Sequence, residues 1–311
     1  MNSLRDGIVD YLELRRSLGF KLKKDELYLR DFATFMERRH AAYITAKLAA
    51  KWAQQPASTD PNYHAGRLRA VRSFARYRIL TDPRTEVPPT DLLPRQRITF
   101  QPHIFSKEEM ECILAGSWRQ WAGATWFYCL GRYTIYGLLS VTGMRVGEVL
   151  KLDVEDVDLD LGVITIRNTK FGKSRLVPVH ETTRIALQRY QEERDAFLAG
   201  RIVKAFFISA HGRRIVHTAL DRAFRRLTKR IGMRGASDPT GPRLHDLRHT
   251  MAVDVLRQCY CAGADPERRL PALSTYLGHS HLNYTYWYLH QNPSLMQQAM
   301  MRLEHYWETS V

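Results

Sequence analysis

The spacing of apolar residues predicts that the first third of the chain is helical. Before residue 79, apolar side chains recur three and four positions apart, as they do on one face of an amphipathic helix. The residues that define this pattern are Ile8, Leu12, Leu14, Leu18, Leu27, Leu29, Phe32 and Phe35. We therefore predict an all-helical N-terminal domain over residues 1–98.

Prolines mark the point at which this pattern ends. Five of the 13 prolines lie between Ile79 and Pro102, in a stretch that keeps neither a helical nor a strand period. We interpret this stretch as a linker that begins at about residue 79, and we assign residues 99–311 to a second domain.

The second domain mixes helical and strand patterns. One long apolar helix is predicted from Ser106 to about Val141, and helical periodicity returns after Thr182. Between them, two β-type runs at 163–166 and 176–179 flank a loop rich in Gly and Lys, which predicts a hairpin. The predicted fold class is mainly α with a small antiparallel β-sheet, in which a helical N-terminal domain precedes a mixed α+β domain.

One apolar stretch, residues 121–141, is long enough to cross a membrane. Arg132 lies in its middle, where placing the guanidinium in a bilayer costs roughly 2.5–3.5 kcal/mol. We therefore predict a buried helix. The first sixteen residues have acids among their basic residues and resemble neither a signal peptide nor a presequence, so we expect a cytoplasmic protein. The four cysteines form no C-x-x-C pair, and we expect reduced, buried thiols.

Charge points to a polyanionic partner. The chain has 47 Lys and Arg against 32 Asp and Glu, a formal net charge of +15, and both halves share the excess. Nucleic acid is the partner that such a balance favours. In the last helix of the first domain, Arg69, Arg72 and Arg76 lie on a face other than the apolar one, which fits contact with DNA phosphates. The alternative is a solvated basic face, which is common.

Two motifs early in the second domain contain candidate functional residues. In the segment 142–150, a Gly turn places Arg145 at the start of a helix with Glu148 one turn later, a pair that is usually an ordinary surface pair. The hairpin loop contains Lys170 and Lys173. Its Gly172-Lys173-Ser174 is similar to the end of a P-loop, but Arg167 stands where the first Gly would be, so an NTPase is not supported.

Two further motifs contain histidines. His245 and His249 lie four residues apart on one helix face, as zinc ligands do, but Asp246 stands where a zinc hydrolase needs Glu. His245 and Arg248 also share a face and can donate to one phosphoryl group. The last motif is Leu277-Gly278-His279-Ser280-His281, followed by the tyrosines 284, 286 and 288.

Taken in order, these motifs resemble the tyrosine recombinase (phage integrase) family. The segments are T-G-M-R-V-G-E, T-K-F-G-K-S-R-L-V-P, H-D-L-R-H-T and L-G-H-S, with a tyrosine nine residues beyond the histidine of the last. The resemblance covers the whole second domain, and the preceding helical domain is similar to the family's core-binding domain. It implies a site-specific recombinase or integrase that cleaves and rejoins DNA through a 3′-phosphotyrosyl intermediate, without metal, ATP or other cofactor.

The resemblance also implies a role for each matching residue. Arg145 and Arg248 would hold the phosphate, Glu148 would orient the site, and Lys170 would protonate the leaving 5′ oxygen. His245 and His279 match the two family histidines, and Tyr288 matches the nucleophile. Tyr284 and Tyr286 are its competitors, and the nine-residue spacing from His279 favours Tyr288. The candidates for contact with DNA are Arg69, Arg72, Arg76, Lys173 and Arg175.

The resemblance extends to partners and setting. We expect double-stranded DNA and a homotetramer on paired sites, formed alone or with related recombinases, and neither a membrane nor a small-molecule substrate. After residue 292, apolar residues repeat at helical spacing, which fits a C-terminal helix exchanged between subunits. The origin implied is bacterial or phage, at the nucleoid, on a transposable or integrative element. Two alternatives stay open: a zinc hydrolase using His245 and His249, and a DNA-binding protein without catalysis.

Overall fold

The structure of the protein is a computed structural model, and its chain divides into two compact units, Met1–Phe100 and Gln101–Val311. The described residues are 3–57, 60–96, 101–118, 125–167, 174–235, 241–262, 264–278, 281–283, 285–286, 288, 296–297 and 300–301. Within these residues, no helix combines the length and the apolar character that crossing a bilayer demands.

Within its described residues, the first unit consists of four helices. They are α1 (Leu4–Ser17), α2 (Lys23–Glu37), α3 (Ala46–Ala53) and α4 (Pro61–Arg78). Side chains that precede three of them accept hydrogen bonds from the first turn: Ser3 for α1, Thr45 for α3 and Asp60 for α4. Such caps satisfy backbone N–H groups that have no partner within the helix. The predicted helical N-terminal fold is confirmed.

The core of the first unit uses part of the predicted apolar face. Leu29, Phe32 and Phe35 of α2 are buried with Phe74 of α4 around Trp52. Three residues of the apolar pattern lie outside this core, with side chains largely in solvent: Leu14, Leu18 and Leu27. Each helix buries a single narrow face, and apolar residues beside that face remain exposed.

A buried arginine joins three helices of this core. Arg67 of α4 donates to Asp31 of α2 at 2.8 Å, and its guanidinium lies 3.9 Å from the ring centroid of Trp52 on α3. Trp52 donates from Nε1 to the same carboxylate at 3.0 Å. A buried charge needs both an opposite charge and hydrogen bonds, and Asp31 supplies both.

The proline-rich segment after α4 packs on the first unit. Glu86 accepts a hydrogen bond from the backbone of Ala46 and donates its own N–H to the carbonyl of Ile44. Arg72 donates to the carbonyls of Pro88 and Pro89 at 2.7 and 2.6 Å. Leu93 lies in the core of this unit. Much of the segment interpreted as a linker is therefore attached to the helices before it.

The second unit contains seven helices and a small sheet within its described residues. The helices are α5 (Lys107–Trp118), α6 (Trp126–Thr142), α7 (Val146–Val149), α8 (Glu181–Leu198), α9 (His217–Arg230), α10 (Leu244–Cys261) and α11 (Pro266–Leu277). The strands are β1 (Val157–Asp158), β2 (Val163–Ile166) and β3 (Arg175–Pro178). The single long helix predicted up to Val141 was wrong, because α5 and α6 are separate helices.

The sheet is antiparallel in the order β1-β2-β3. In the β2–β3 pair, Val163 lies opposite Pro178 and Ile166 opposite Arg175. The predicted hairpin is confirmed, and its register brings Arg175 to the end of β3 next to the loop. The predicted mainly α fold with a small antiparallel sheet is confirmed as well.

The core of the second unit surrounds α6. Ile135, Tyr136 and Leu139 of this helix are buried in the apolar core, and the helix packs against α5, α8 and α10. Arg132 is buried too, as predicted from its position in the apolar stretch. All four cysteines are free thiols, but the expectation of burial is wrong for Cys112 and Cys261, whose side chains are exposed.

Gly143 ends α6 in the left-handed region, with φ of 59°. Substitution of this glycine tests how closely the end of α6 packs against its neighbours. A Cβ at this position would lie 2.9 Å from Cδ2 of Leu277 and 3.1 Å from Sδ of Met251. We expect Gly143→Ala to lower the free energy of unfolding by about 1 kcal/mol for the backbone and about 1–3 kcal/mol more for overpacking.

Gly232→Ala is the matched control for this measurement. Gly232 also has a positive φ, 78°, but no atom lies within 4 Å of its added Cβ. Urea denaturation of both variants separates the two costs, and equal losses of stability would contradict the packing described around Gly143.

Candidate active site

Glu148 is the acceptor around which the site is built. Arg145 precedes α7 as its N-cap residue, and its backbone N–H donates to Oε2 of Glu148 at 2.9 Å. Its side chain returns to the same carboxylate, with Nη1 donating to Oε1 at 2.8 Å. An arginine and a glutamate at this spacing are usually an exposed surface pair. Here the Glu148 side chain is largely buried, whereas Arg145 is partly exposed.

A second arginine completes the coordination of this carboxylate. Arg175 of β3 donates from Nη1 and Nη2 to the two oxygens of Glu148, at 3.1 and 2.7 Å. Burial by itself raises the pKa of Glu148, but the hydrogen bond and charge of Arg175, with the two hydrogen bonds from Arg145, outweigh it and bring the pKa to about 2. The carboxylate is therefore ionised at neutral pH and holds both guanidinium groups.

Three arginines meet the C-terminal end of α11. Arg175 donates to the carbonyl of Tyr276 at 2.9 Å, Arg248 to that of Leu277 at 2.7 Å, and Arg145 to that of Gly278 at 2.8 Å. The last carbonyls of a helix lack partners within it, and the helix dipole makes this end negative. The chain thus gathers three cations from three distant segments at one helix end.

Glycine is required where these groups approach most closely. Gly278 follows α11 with φ of 68°, and a Cβ there would lie 2.7 Å from Nη1 of Arg175. Any larger residue would both strain the backbone and displace the guanidinium. The glycine of the L-G-H-S segment is thereby explained in physical terms.

Arg248 is the most deeply buried of the three. Its side chain, on α10, is 2% exposed, and Nη1 donates to the carbonyl of Gly143 at 2.7 Å. Burial and the nearby charge of Arg145 lower its pKa to about 10, so that it remains a cation at neutral pH.

The buried Tyr288 side chain lies close to Arg248. Its side chain is 3% exposed and packs among Leu256, Leu273 and Leu277 of α10 and α11. The guanidinium of Arg248 is close enough to the Tyr288 hydroxyl for its charge to act on it. Burial raises the pKa of Tyr288, and the charge of Arg248 works in the opposite direction. At neutral pH the hydroxyl is therefore protonated.

Two histidines of α10 lie beside the tyrosine. The ring centroids of His245 and His249 are 4.8 Å apart, and that of His249 is 5.5 Å from the ring of Tyr288. His245 is at the surface, yet partial burial and the charges of His249 and Arg248 lower its pKa to about 4. Burial and the charges of Arg243 and Arg248 do the same for His249. Both imidazoles are neutral at pH 7.

The structure brings together five of the seven residues assigned to catalysis or support: Arg145, Glu148, His245, Arg248 and Tyr288. The other two, Lys170 and His279, lie outside the described residues, as do Lys173 and the competing Tyr284. Tyr286 is half-buried on the same apolar cluster as Tyr288.

The candidate DNA contacts are in different surroundings. Arg69 and Arg76 are exposed on α4, whereas Arg72 is occupied by the carbonyls of Pro88 and Pro89. Arg175 is occupied by Glu148 and by the carbonyl of Tyr276. Its guanidinium is thus suited to positioning the site rather than to reaching a DNA phosphate.

Sequence reasoning missed a cleft of about 430 Å³ beside Arg145 and His245. Arg225 of α9 and Arg243 before α10 line it, above apolar residues that include Phe224. The signal was present in the sequence, because α9 carries Arg222, Arg225, Arg226, Lys229 and Arg230 in one helix. His249 was also considered only as a zinc ligand, although it contacts Tyr288.

The zinc alternative gains no support from the geometry. Across the described ranges, no group of three or more His, Cys, Asp or Glu side chains is placed to hold a metal ion. His245 and His249 form only a pair there.

Comparison with known proteins identifies relatives over the whole chain. The model of the phage integrase family matches residues 122–294. The integrase/recombinase y4rB of Sinorhizobium fredii is 45% identical, over 99% of both chains. A second from that organism, y4rE, is 36% identical over 96% of this chain and 95% of its own. The tyrosine recombinase XerC of Chlamydia caviae is 28% identical over 75% and 69%.

Solved structures share the fold. The Tn1549 transposon integrase in complex with transposon right end DNA has a TM-score of 0.67 at 19% identity, covering 97% of this chain and 100% of its own. The XerH recombinase bound to its difH substrate has a TM-score of 0.63 at 18% identity, covering 90% and 78%. Together with the family match and the two full-length relatives, this shows that the chain belongs to the phage integrase family and is a tyrosine-type site-specific recombinase.

Proposed function

We propose that this recombinase acts on double-stranded DNA of a mobile element, with Tyr288 as its nucleophile. The observation that carries the proposal is that Arg145 and Arg248 bind successive carbonyls at the end of α11, with Arg248 close to the buried hydroxyl of Tyr288. A phosphate that reached these arginines would meet the attacking oxygen as well. Transposition, integration and excision are the processes we infer, at the nucleoid.

The charges of the site suit a phosphoryl group under attack. Negative charge grows on the non-bridging oxygens in the transition state, and planar guanidinium groups hold such oxygens in bidentate fashion. Arg145 and Arg248 are cations, and Glu148 compensates only part of the positive charge that they share with Arg175. Neutral His245 still offers one ring N–H to the phosphate.

The proposed reaction conserves the energy of the phosphodiester. The Tyr288 hydroxyl passes its proton to a neutral imidazole of the site as its oxygen forms a bond to phosphorus. The bond to the 5′ oxygen breaks, and Lys170 gives that oxygen a proton. A 3′-phosphotyrosyl link results. The 5′ hydroxyl of a partner strand then attacks this link and releases the tyrosine, so strand exchange proceeds without ATP.

Tyr288→Phe should bind DNA with unchanged affinity and form no covalent adduct, since it lacks the attacking oxygen. Denaturing gels of a nicked suicide substrate measure the adduct. Tyr286→Phe is the control, because Tyr286 lies on the same apolar cluster, and it should form adduct at the wild-type rate. Undiminished adduct with Tyr288→Phe would assign the nucleophile elsewhere.

Cleavage should persist in excess EDTA, because cationic side chains supply the stabilisation that metal ions supply in many nucleases. The same gel assay, run with and without chelator, measures it. Activity that EDTA abolishes and Zn²⁺ restores would instead support the hydrolase alternative. Specific binding with no adduct under either condition would support a silent DNA-binding protein.

We further infer that the helical first unit grips DNA through α4. Arg69 and Arg76 are exposed and lie seven residues apart, two turns of the helix. The double variant Arg69→Gln, Arg76→Gln should weaken binding and reduce the slope of log K against log salt by about 0.9 for each phosphate that the protein no longer neutralises.

Arg225→Gln in the second unit is the comparison for this measurement, since Arg225 lines the cleft beside Arg145. Removing its charge should reduce the salt slope in the same way. An unchanged slope in the α4 double variant, with a reduced slope in Arg225→Gln, would confine DNA binding to the second unit.

The C-terminal tail is proposed to connect subunits in a tetramer on paired sites. Met296 and Met300, four residues apart, are exposed, which supports an apolar stripe available to a neighbour. Truncation after Asn292 should leave binding to a single site intact and abolish synapsis, as measured by band shift and light scattering. Normal tetramers from the truncated chain would contradict this assignment.

A further inference from the structure

A cavity of about 530 Å³ lies between α6, the segment 208–216 and the start of α9. Its walls are mostly apolar and include Tyr128, Ile208 and Leu220. It shares no lining residue with the cleft beside Arg145 and His245. Volumes of this size are typical of sites for small organic molecules.

A buried cation lines this cavity. Arg132 of α6 is 4% exposed. Its Nη2 donates weakly to Sγ of Cys129 at 3.5 Å, and its guanidinium lies 4.3 Å from the ring centroid of Tyr128. Its Nε is buried and has no hydrogen-bond partner. Among the residues that the structure describes, no carboxylate forms an ion pair with it.

This arrangement differs from that of three other buried arginines. Arg67 has Asp31, Arg248 has two backbone carbonyls, and Arg194 has the carbonyls of Val203 and Ala205. Burial of a guanidinium costs several kcal/mol unless an anion or strong acceptors compensate it. Arg132 has a thiol and an aromatic face, neither of which carries a formal negative charge.

The mouth of the cavity adds further positive charge. His211 and Arg213 line it, are exposed, and form no ion pair within the described part of the chain. Arg214 also lines it but is already held by Asp153 and by the carbonyls of Leu150 and Leu152. The cavity therefore combines an unpaired cation inside, a basic rim and apolar walls.

We propose that this cavity binds a small organic monocarboxylate with an apolar body, whose carboxylate pairs with Arg132. The carboxylate accepts from the free N–H groups of the guanidinium, and the apolar body replaces water against Ile208, Val216 and Leu220. A phosphate of duplex DNA does not fit this site. A ligand must enter the cavity to contact Arg132, and the sugars on either side of a backbone phosphate prevent that.

The test titrates the full chain with 4-phenylbutyrate as the probe. Binding is monitored by NMR as a shift of the Nε–H signal of Arg132. Arg132→Met identifies that signal by its disappearance. We expect saturable binding with a dissociation constant of about 1 mM or lower. The alcohol 4-phenylbutan-1-ol, which lacks the charge, and acetate, which lacks the apolar body, should each bind at least about tenfold more weakly.

Three variants locate the site, and amide shifts around the cavity report binding in each. Arg132→Met removes the charge at similar volume, and Ala219→Phe fills the cavity while keeping Arg132. Both should weaken binding of the probe at least about tenfold. Arg257→Met is the matched control, since Arg257 is exposed and lies outside the cavity lining, and it should bind as the wild type does.

Absence of saturable binding would overturn the proposal. So would equal affinity for the acid and the alcohol, or an affinity that Ala219→Phe leaves unchanged. Because Ala219→Phe keeps the buried charge, it decides the question even if Arg132→Met does not fold.

Discussion

The end of α11 is the feature on which the candidate site depends. Its carbonyls at residues 276–278 accept hydrogen bonds from Arg175, Arg248 and Arg145 in turn. Three guanidinium groups would repel one another if they were gathered in solution. The negative end of the helix and the ionised carboxylate of Glu148 make their assembly favourable. Because each arginine comes from a different segment, this contact also ties the hairpin, α7 and α10 together.

The same contact explains why the site sits beside a buried tyrosine. Leu277, whose carbonyl binds Arg248, packs with Tyr288 in one apolar cluster. Arg248 binds the end of α11 and is close to the Tyr288 hydroxyl, so one helix end helps to position both side chains. In the free protein the hydroxyl is protonated and hidden from solvent. In the proposed reaction, a phosphate would compete for Arg248 before the attack by Tyr288.

Much of this could be predicted from the sequence, because local patterns determine it. The 3.6-residue period indicates the helices, and the β-branched runs indicate β2 and β3. The resemblance of the motifs to the tyrosine recombinase family implies Arg145, Arg248 and Tyr288 as site residues, and the fold brings these three together. The contacts that only the fold creates could not be predicted. Arg175 was expected to contact a DNA phosphate. The structure shows that it binds Glu148, and no local sequence pattern indicates this contact because Glu148 lies 27 residues earlier. Sequence patterns likewise did not indicate that Arg72 binds carbonyls of the proline-rich segment. Nor did they indicate that Leu14, Leu18 and Leu27 are exposed.

Glu148→Gln tests the central claim most directly, since it removes the charge that holds Arg145 and Arg175 and changes little else. Glu155→Gln, at an exposed position, is the matched control. We predict that Glu148→Gln slows formation of the covalent adduct at least about tenfold, with DNA affinity within about threefold of wild type, because misplaced arginines cost more in the transition state than in binding. Adduct formation at the wild-type rate in a folded Glu148→Gln protein would contradict the account.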